Sequence, residues 1–145
     1  MSELLHIGII SSGRSANVPA MTDMLENVAH KWYVGKGEGA AYSNAGAENV
    51  IESGGLIESR NAALDDAFAD DMYCVQLSDD VKRLDWNDWF RLKKPQGVMT
   101  IERALSYLHK TALKSEAKLI GIPPTSNAFF AKAPYTYNGF VIGDA

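Results

Sequence analysis

The amino-acid sequence predicts an α/β fold in which a mostly parallel sheet is flanked by helices. Two features carry this prediction. Short apolar runs that are typical of buried strands alternate with segments whose apolar residues recur at helical spacing. Glycine, proline and short polar residues separate these segments, as expected of turns and loops. Strands that alternate with helices favour a parallel sheet covered on both faces.

Several short segments are predicted to be strands. They are Leu4–Ile10, Lys31–Val34, Asn49–Ile51, Met72–Leu77, Leu119–Ile122 and Phe140–Ile142. The clearest of them is Met72–Leu77, which ends at Ser78-Asp79-Asp80. The glycine-rich segment Gly35–Gly46 is expected to be a loop, and Trp86–Arg91 is expected to be irregular or a short helical turn.

Helical spacing and capping residues predict three helices. Pro19 suits the first turn of the first helix, whose apolar stripe is Met21, Met24, Leu25 and Val28. Ser59 is the predicted N-cap of a second helix from Arg60 to about Ala69. Its expected buried face consists of Ala63, Leu64, Ala67 and Phe68. Thr100 is the predicted cap of the third helix, with apolar positions at Ile101, Ala104, Leu105, Leu108 and Ala112.

The composition limits the functional classes. A chain of 145 residues that is 46% hydrophobic and 22% charged fits one globular domain rather than a disordered chain. The net charge of -4 gives no long-range attraction to DNA or an anionic membrane, although a local basic groove stays open. No apolar run approaches the roughly 20 residues that span a bilayer, so no membrane association is expected. The lone Cys74 favours a reducing cytoplasm and is interpreted as a small buried hydrophobe.

Ser11-Ser12-Gly13-Arg14 directly follows the first predicted strand. Ligands in open α/β sheets sit beyond the carboxyl ends of the strands. Hydroxyls, backbone amides and a guanidinium suit phosphate or a nucleobase edge there. The alternative is a solvated turn.

Ser59-Arg60-Asn61 opens the second predicted helix. A cation at a helix start opposes the helix dipole, so Arg60 is expected to meet an anion or a carboxylate. The alternative is a surface arginine.

Ser78-Asp79-Asp80 places two adjacent acids at the end of an apolar strand. Hard oxygen ligands in this position suit Mg²⁺ or Mn²⁺ bridging phosphates. The alternative is a turn or capping pair. Basic residues follow this turn and are interpreted as a solvated face; the alternative is a contact with nucleic acid. These residues are Lys82, Arg83, Arg91, Lys93 and Lys94. The histidines His6, His30 and His109 lack metal-ligand spacing and are interpreted as structural or surface residues.

The chain resembles the GT-A class of glycosyltransferases in the order of its motifs. These are the first strand with its SSGR loop, then GGLIESRNAAL, VQLSDD and GIPPTSNAFF. More narrowly, the chain resembles the TET-associated glycosyltransferases of phages, which glycosylate hydroxymethylated pyrimidines in DNA. The resemblance covers nearly the whole chain, and SRN…AL…VQLSDD is its most specific part. It implies a Rossmann-like nucleotide-sugar-binding domain over residues 1–145, in the cytoplasm of an infected host.

The resemblance also implies roles for individual residues. The implied donor-binding residues are Ser11, Ser12, Gly13, Arg14, Arg60, Asn61, Ser78 and Asp79, with a UDP-sugar as the expected donor. Arg60 and Asp80 are the implied catalytic residues. Asp80, with Asp79, is the implied ligand of Mn²⁺ or Mg²⁺, and a serine stands where the family's metal motif has its first acid. Gly121 and Asn127 match a loop near the acceptor, which the subfamily resemblance identifies as modified DNA.

Two other functions stay open. One is a nucleotidyltransferase on a similar sheet, and the other is a non-catalytic binding or assembly module of a phage that kept the fold. The chain ends at Gly143-Asp144-Ala145, where a GT-A chain would continue into its acceptor half. We therefore expect the N-terminal part of a longer glycosyltransferase, which binds the donor but transfers sugar slowly or not at all.

Overall fold

The computed structural model describes residues 4–87 and 95–122. Contacts divide the chain into two compact units, with the boundary between Lys82 and Arg83. The first unit contains β1 (Leu5–Ile10), the 3-10 turn Ser15–Asn17, α1 (Val18–Met24), β2 (Lys31–Val34), α2 (Gly39–Asn44), β3 (Val50–Glu52), α3 (Leu56–Ala69) and β4 (Tyr73–Ser78). The second unit contains β5 (Asp85–Asn87), β6 (Pro95–Val98) and α4 (Ile101–Ser115). The expected single nucleotide-sugar-binding domain stays a prediction.

β1 lies inside a parallel sheet. Among the described residues of the first unit, this sheet has four strands in the order β3-β2-β1-β4. Ile7, Ile9 and Ile10 of β1 are buried, as expected of a strand covered on both faces. The prediction of an α/β fold with a mostly parallel sheet is confirmed, and the arrangement is consistent with a Rossmann-like fold.

Helices cover both faces of the sheet. Tyr33 of β2 packs with Ile10 and with Ala63 of α3, so α3 lies on the face to which Tyr33 points. Trp32 precedes Tyr33 and points to the opposite face, because side chains alternate along a strand. The Trp32 ring lies 5.7 Å, between centroids, from the ring of Tyr42 in α2. The two helices therefore pack on opposite faces.

The first turn of α3 differs from the prediction. The helix begins at Leu56, and Gly55 is its N-cap. Ser59, which was expected to be the cap, is a buried residue inside the helix. Gly54 has a φ of +121°, which other residues rarely adopt, and this lets the chain turn into the helix before the first good capping side chain. Arg60 is consequently the fifth residue of α3, and the expectation that it opens the helix is wrong.

The buried face of α3 is also narrower than predicted. Ala63 and Ala67 are buried, whereas Leu64 is 50% exposed and Phe68 is 88% exposed. The reason is the short distance between α3 and β1. A Cβ atom added to Gly8 would lie 3.1 Å from Ala63 Cβ, so only small side chains fit between the helix and the strand.

Other segments also differ from the prediction. The expected loop Gly35–Gly46 contains α2, which is anchored by the buried ring of Tyr42. The segment 119–122 is irregular rather than a strand, and Leu119 is 71% exposed. A four-residue apolar run does not specify a strand unless a neighbouring strand pairs with it. Within Trp86–Arg91, the residues up to Asn87 belong to β5. The rest of that segment and the predicted strand Phe140–Ile142 lie outside the described residues.

In the second unit, β5 and β6 pair in antiparallel orientation. The predicted cap of α4 is confirmed, because Thr100 Oγ1 accepts a hydrogen bond of 3.4 Å from the Arg103 amide. Within residues 4–87 and 95–122, no helix is both long and apolar enough to cross a membrane.

Candidate ligand-binding site

The strand order creates a crevice between β1 and β4. The chain runs from β1 to β2 and β3 on one side of β1, and α3 then returns it to place β4 on the other side. Ligands of open α/β sheets bind at the carboxyl ends of the strands where the order reverses in this way. Ile10 pairs with Ser78 at those ends. The loop of Ser11–Arg14 after β1 and the turn of Asp79–Asp80 after β4 therefore meet at the crevice.

A buried chain of hydrogen bonds joins this loop to this turn. Ser11 Oγ donates to Asp79 Oδ2, and a serine hydroxyl has only one proton to donate. The Tyr42 hydroxyl, 2.5 Å from Ser11 Oγ, must therefore donate to the serine oxygen. The backbone amide of Arg14 donates in turn to the Tyr42 hydroxyl at 3.1 Å. The chain thus runs from the Arg14 amide to the Asp79 carboxylate.

The Arg14 side chain closes this chain into a ring. Its Nη2 lies 2.5 Å from Asp79 Oδ1, and its Nη1 lies 3.5 Å from Asp80 Oδ2. Asp79 Oδ1 is buried and accepts no well-aligned hydrogen bond from the described residues, so charge attraction accounts for the short contact. The Asp79 side chain is fully buried, and the Arg14 side chain is half exposed. A buried carboxylate needs such a counter-ion to offset its desolvation.

Asp80 is the accessible member of the acidic pair. Its side chain is 46% exposed, and its Oδ1 accepts a hydrogen bond of 2.6 Å from Ser78 Oγ. This bond, and then the positive charges of Arg14 and Lys82, hold the pKa of Asp80 below its usual value. Asp80 is therefore ionised at neutral pH and open to solvent.

A small cavity opens beside Arg14. It has a volume of about 110 Å³ and lies between the loop after β1 and the start of α3. Its lining residues are Ile10, Ser11, Ser12, Arg14, Gly55, Leu56 and Ser59. Hydroxyls, a guanidinium and the amino end of a 14-residue helix favour an anion in this cavity.

Two residues of this region were missed by the sequence analysis. Tyr42 belongs to the hydrogen-bonded ring, and Glu38 supports the loop after β1. The Glu38 carboxylate accepts hydrogen bonds from the Gly13 amide at 3.0 Å, the Gly35 amide at 3.1 Å and Ser12 Oγ at 3.2 Å. The available signal was the position of both residues in the segment that follows β2, because the carboxyl ends of parallel strands share one edge of the sheet.

The predicted residues of α3 lie apart from the ring. Gln76 of β4 donates from Nε2 to the Arg60 carbonyl at 2.9 Å, and Arg60 Nη1 donates to Gln76 Oε1 at 3.4 Å. Asn61 is exposed. Neither residue lines the cavity beside Arg14. The catalytic role of Arg60 and the donor contact of Asn61 stay predictions.

The described residues can contribute little protein coordination to a metal ion. Within residues 4–87 and 95–122, no three His, Cys, Asp or Glu side chains lie close enough together to hold one. Both oxygens of Asp79 are engaged, by Ser11 and by Arg14. Asp80 offers one accessible carboxylate, which fits Mg²⁺ or Mn²⁺ only if phosphate oxygens and water complete the coordination, as is usual for Mg²⁺.

The predicted acceptor-side residues have no described contact with the site. Gly121 is exposed and follows α4 in the second unit. Asn127 lies outside the described residues.

Comparison with known protein families, with curated proteins and with solved structures finds no match for this chain.

Proposed function

We propose that this chain binds a nucleoside diphosphate sugar, with a UDP-sugar as the expected donor, and acts as a metal-dependent glycosyltransferase of the GT-A class. The observation that supports the proposal most directly is the position of Arg14. Its half-exposed guanidinium lies where the strand order reverses, beside a cavity bordered by serine hydroxyls and the start of α3. These are the groups that recognise a diphosphate.

The other residues of the loop and the turn have separate roles in binding the donor. Ser11 and Asp79 orient Arg14 from within the fold, because both are buried. Ser12 and Gly13 form the exposed surface of the loop, which Glu38 holds in place. Arg14 then supplies positive charge toward the phosphates of the donor. Charge-assisted contacts of this kind hold the donor in place, and a fixed orientation of the reactants lowers the barrier of group transfer.

Asp80 is the residue that would hold a divalent cation together with the donor phosphates. A cation there would neutralise the charge that develops on the departing nucleoside diphosphate. The other groups of the site bind and orient the donor. As the subfamily resemblance implies, we propose that the acceptor is a hydroxymethylated pyrimidine in phage DNA.

The metal dependence is tested by calorimetry with UDP and UDP-sugars, in EDTA and in Mn²⁺. We expect tighter binding in Mn²⁺, and we expect Asp80→Ala to abolish the difference between the two conditions. Arg14→Ala is the comparison variant. In EDTA, where no cation contributes, it should weaken binding by about 1.5–3 kcal/mol, or roughly tenfold or more, as for a lost charge-assisted hydrogen bond.

Equal affinity of the intact chain in EDTA and in Mn²⁺ would remove the metal from the proposal. Failure to bind any nucleotide or nucleotide sugar would instead favour the non-catalytic module. Product analysis separates the two enzymes. A nucleotidyltransferase forms a nucleotide sugar and pyrophosphate from a sugar phosphate and a nucleoside triphosphate. A glycosyltransferase incorporates labelled sugar, even if slowly, into hydroxymethylated DNA and not into unmodified DNA.

A further inference from the structure

A cation already lies between the two carboxylates that would receive a metal ion. The Arg14 guanidinium spans Asp79 and Asp80, with Nη2 2.5 Å from one carboxylate and Nη1 3.5 Å from the other. These three side chains together carry one negative charge. Without the guanidinium, the two carboxylates would carry two negative charges on adjacent residues of one turn.

The guanidinium of Arg14 is held in place by a network of hydrogen bonds. The Arg14 amide is bonded to Tyr42, Tyr42 is bonded to Ser11, and Ser11 is bonded to Asp79. Both the main chain and the side chain of Arg14 therefore belong to one closed ring, whose other members are all buried. Since Arg is fully charged at any physiological pH, this counter-charge is permanent.

A divalent cation and the guanidinium compete for the same oxygens. Mg²⁺ binds carboxylate oxygens at about 2.0–2.1 Å. A cation that bridged Asp79 and Asp80 would therefore occupy the space where the guanidinium contacts them, and two positive groups would be forced together. By Coulomb's law, the repulsion from one guanidinium at that separation is about as large as the attraction of one carboxylate, so Arg14 cancels the attraction of one of the two acids.

We propose that Arg14 is the resident counter-cation of the Asp79–Asp80 turn, and that it excludes a free divalent cation from this turn until a diphosphate binds. A diphosphate supplies both an alternative anion for the guanidinium and the additional oxygens that the cation requires. Cation and nucleotide then bind together, with Asp80 as the protein ligand and Asp79 as a residue that positions Arg14. Only this last step, the entry of the cation with the nucleotide, depends on the proposed function.

The exclusion is tested without any nucleotide. Mn²⁺ alone is titrated into the full chain, and binding is followed by electron paramagnetic resonance of free Mn²⁺. Paramagnetic broadening of the Asp79 and Asp80 amide signals in NMR spectra shows whether the Mn²⁺ is bound at the turn. We expect no broadening at the turn in the wild-type chain at Mn²⁺ concentrations where Arg14→Gln shows it. The affinity of Arg14→Gln should be higher by about tenfold or more, since a positive charge in direct contact with the site has been removed.

Arg14→Lys is the matched control, because it keeps the positive charge, and it should bind Mn²⁺ no better than the wild-type chain. Asp80→Asn placed on Arg14→Gln should abolish the gain. In thermal unfolding, Mn²⁺ should raise the melting temperature of Arg14→Gln and leave that of the wild-type chain unchanged.

Binding of Mn²⁺ alone to the turn of the wild-type chain would overturn the proposal, and this measurement needs no variant to fold. An Arg14→Gln chain that is folded and gains no affinity for Mn²⁺ would overturn it equally. These results are separate from those that bear on the glycosyltransferase. If the gain appears in Arg14→Gln but no nucleotide binds to the wild-type chain, the exclusion by Arg14 stands and the proposed function fails.

Discussion

His6 shows how a buried ionisable side chain is accommodated when its partners are arranged in a chain. Tyr33 donates its hydroxyl proton to Asp66 Oδ2 at 2.7 Å, so it can only accept from His6 Nε2, which also lies 2.7 Å away. This assigns the proton of the neutral imidazole to Nε2. Lys31 Nζ, 3.3 Å from Asp66 Oδ2, completes the set. Each hydrogen bond that joins His6, Tyr33, Asp66 and Lys31 thus has a defined donor and acceptor.

The pH dependence of stability follows from these groups. Burial, and then the charge of Lys31, lower the pKa of His6 from its ordinary value of 6.5. The unfolded chain therefore binds the proton more readily than the folded chain does. The contribution of neutral His6 to the free energy of unfolding is fully present above pH 6.5 and is lost as the pH falls through the lowered pKa. Chemical denaturation at a series of pH values from 7.5 to 5 measures this loss.

His6→Gln is the informative variant, because a glutamine amide keeps an N–H donor for Tyr33 and does not titrate. The variant should lose less stability than the wild-type chain as the pH falls. Asp66 does not confuse the result. Its pKa is lowered from 3.8, chiefly by the hydrogen bond from Tyr33, so its contribution is lost only at more acidic pH. An identical pH profile for both chains would show that His6 does not titrate in this range.

The contact between α3 and β1 is set by small side chains. Ser59, Ala63 and Ala67 recur at intervals of four residues and form the buried face of the helix. On the strand side, Gly8 lies opposite Ala63 and the ring of Tyr33. This close approach brings the beginning of α3 to the crevice, where it borders the cavity beside Arg14.

Gly8→Ala tests this contact. The added Cβ would lie 3.0 Å from Tyr33 Cε2 and 3.1 Å from Ala63 Cβ, so the helix must move or the tyrosine ring must shift. We expect a loss of about 1–3 kcal/mol in the free energy of unfolding, as is typical of overpacking. Phe68→Ala is the contrasting variant on the outer face of α3, and its effect should stay within about 0.5 kcal/mol.

Both free energies come from urea unfolding of the full chain. The reverse order, with Phe68→Ala as the more costly change, would mean that the 88% exposed ring is packed in solution. That result would contradict the assignment of the buried face to the small residues.

In the chain as a whole, the residues of the ring and the cavity belong to the first unit, which ends at Lys82. Ligand binding should therefore be visible at these residues of the first unit. The net charge of -4 also means that attraction for an anionic ligand must be local, and Arg14 and the start of α3 provide it.

Hydrogen exchange with and without UDP in Mn²⁺ tests this localisation. We expect added protection at the amides of residues 11–14 and 55–59. Stabilisation of the first unit follows from mass action and amounts to about 2.7 kcal/mol at a ligand concentration of 100 times Kd. Protection confined to α4 would place the nucleotide elsewhere.

Periodicity and turn chemistry were sufficient to predict the fold class. The bounds of β1 to β4 agree with the predicted strands to within one residue, because each strand is a short apolar run bounded by polar or turn-forming residues. The cap of α4 was also predictable, since Thr100 acts on an amide only three residues away. The Ser11–Arg14 loop and the acidic turn could be proposed as neighbours, because carboxyl ends of parallel strands share one edge.

What each of those side chains does depends on contacts between residues far apart in sequence. The pairing of Asp79 with Ser11 and Arg14 spans more than sixty positions, and it separates a buried acid from its exposed neighbour Asp80. Tyr42 enters the ring from a segment whose glycines predict a loop. Local sequence reports spacing and propensity, whereas burial and the identity of a counter-ion are properties of the packed chain. The sequence could therefore name two candidate metal ligands, and in the folded chain one of them, Asp79, is buried against Arg14.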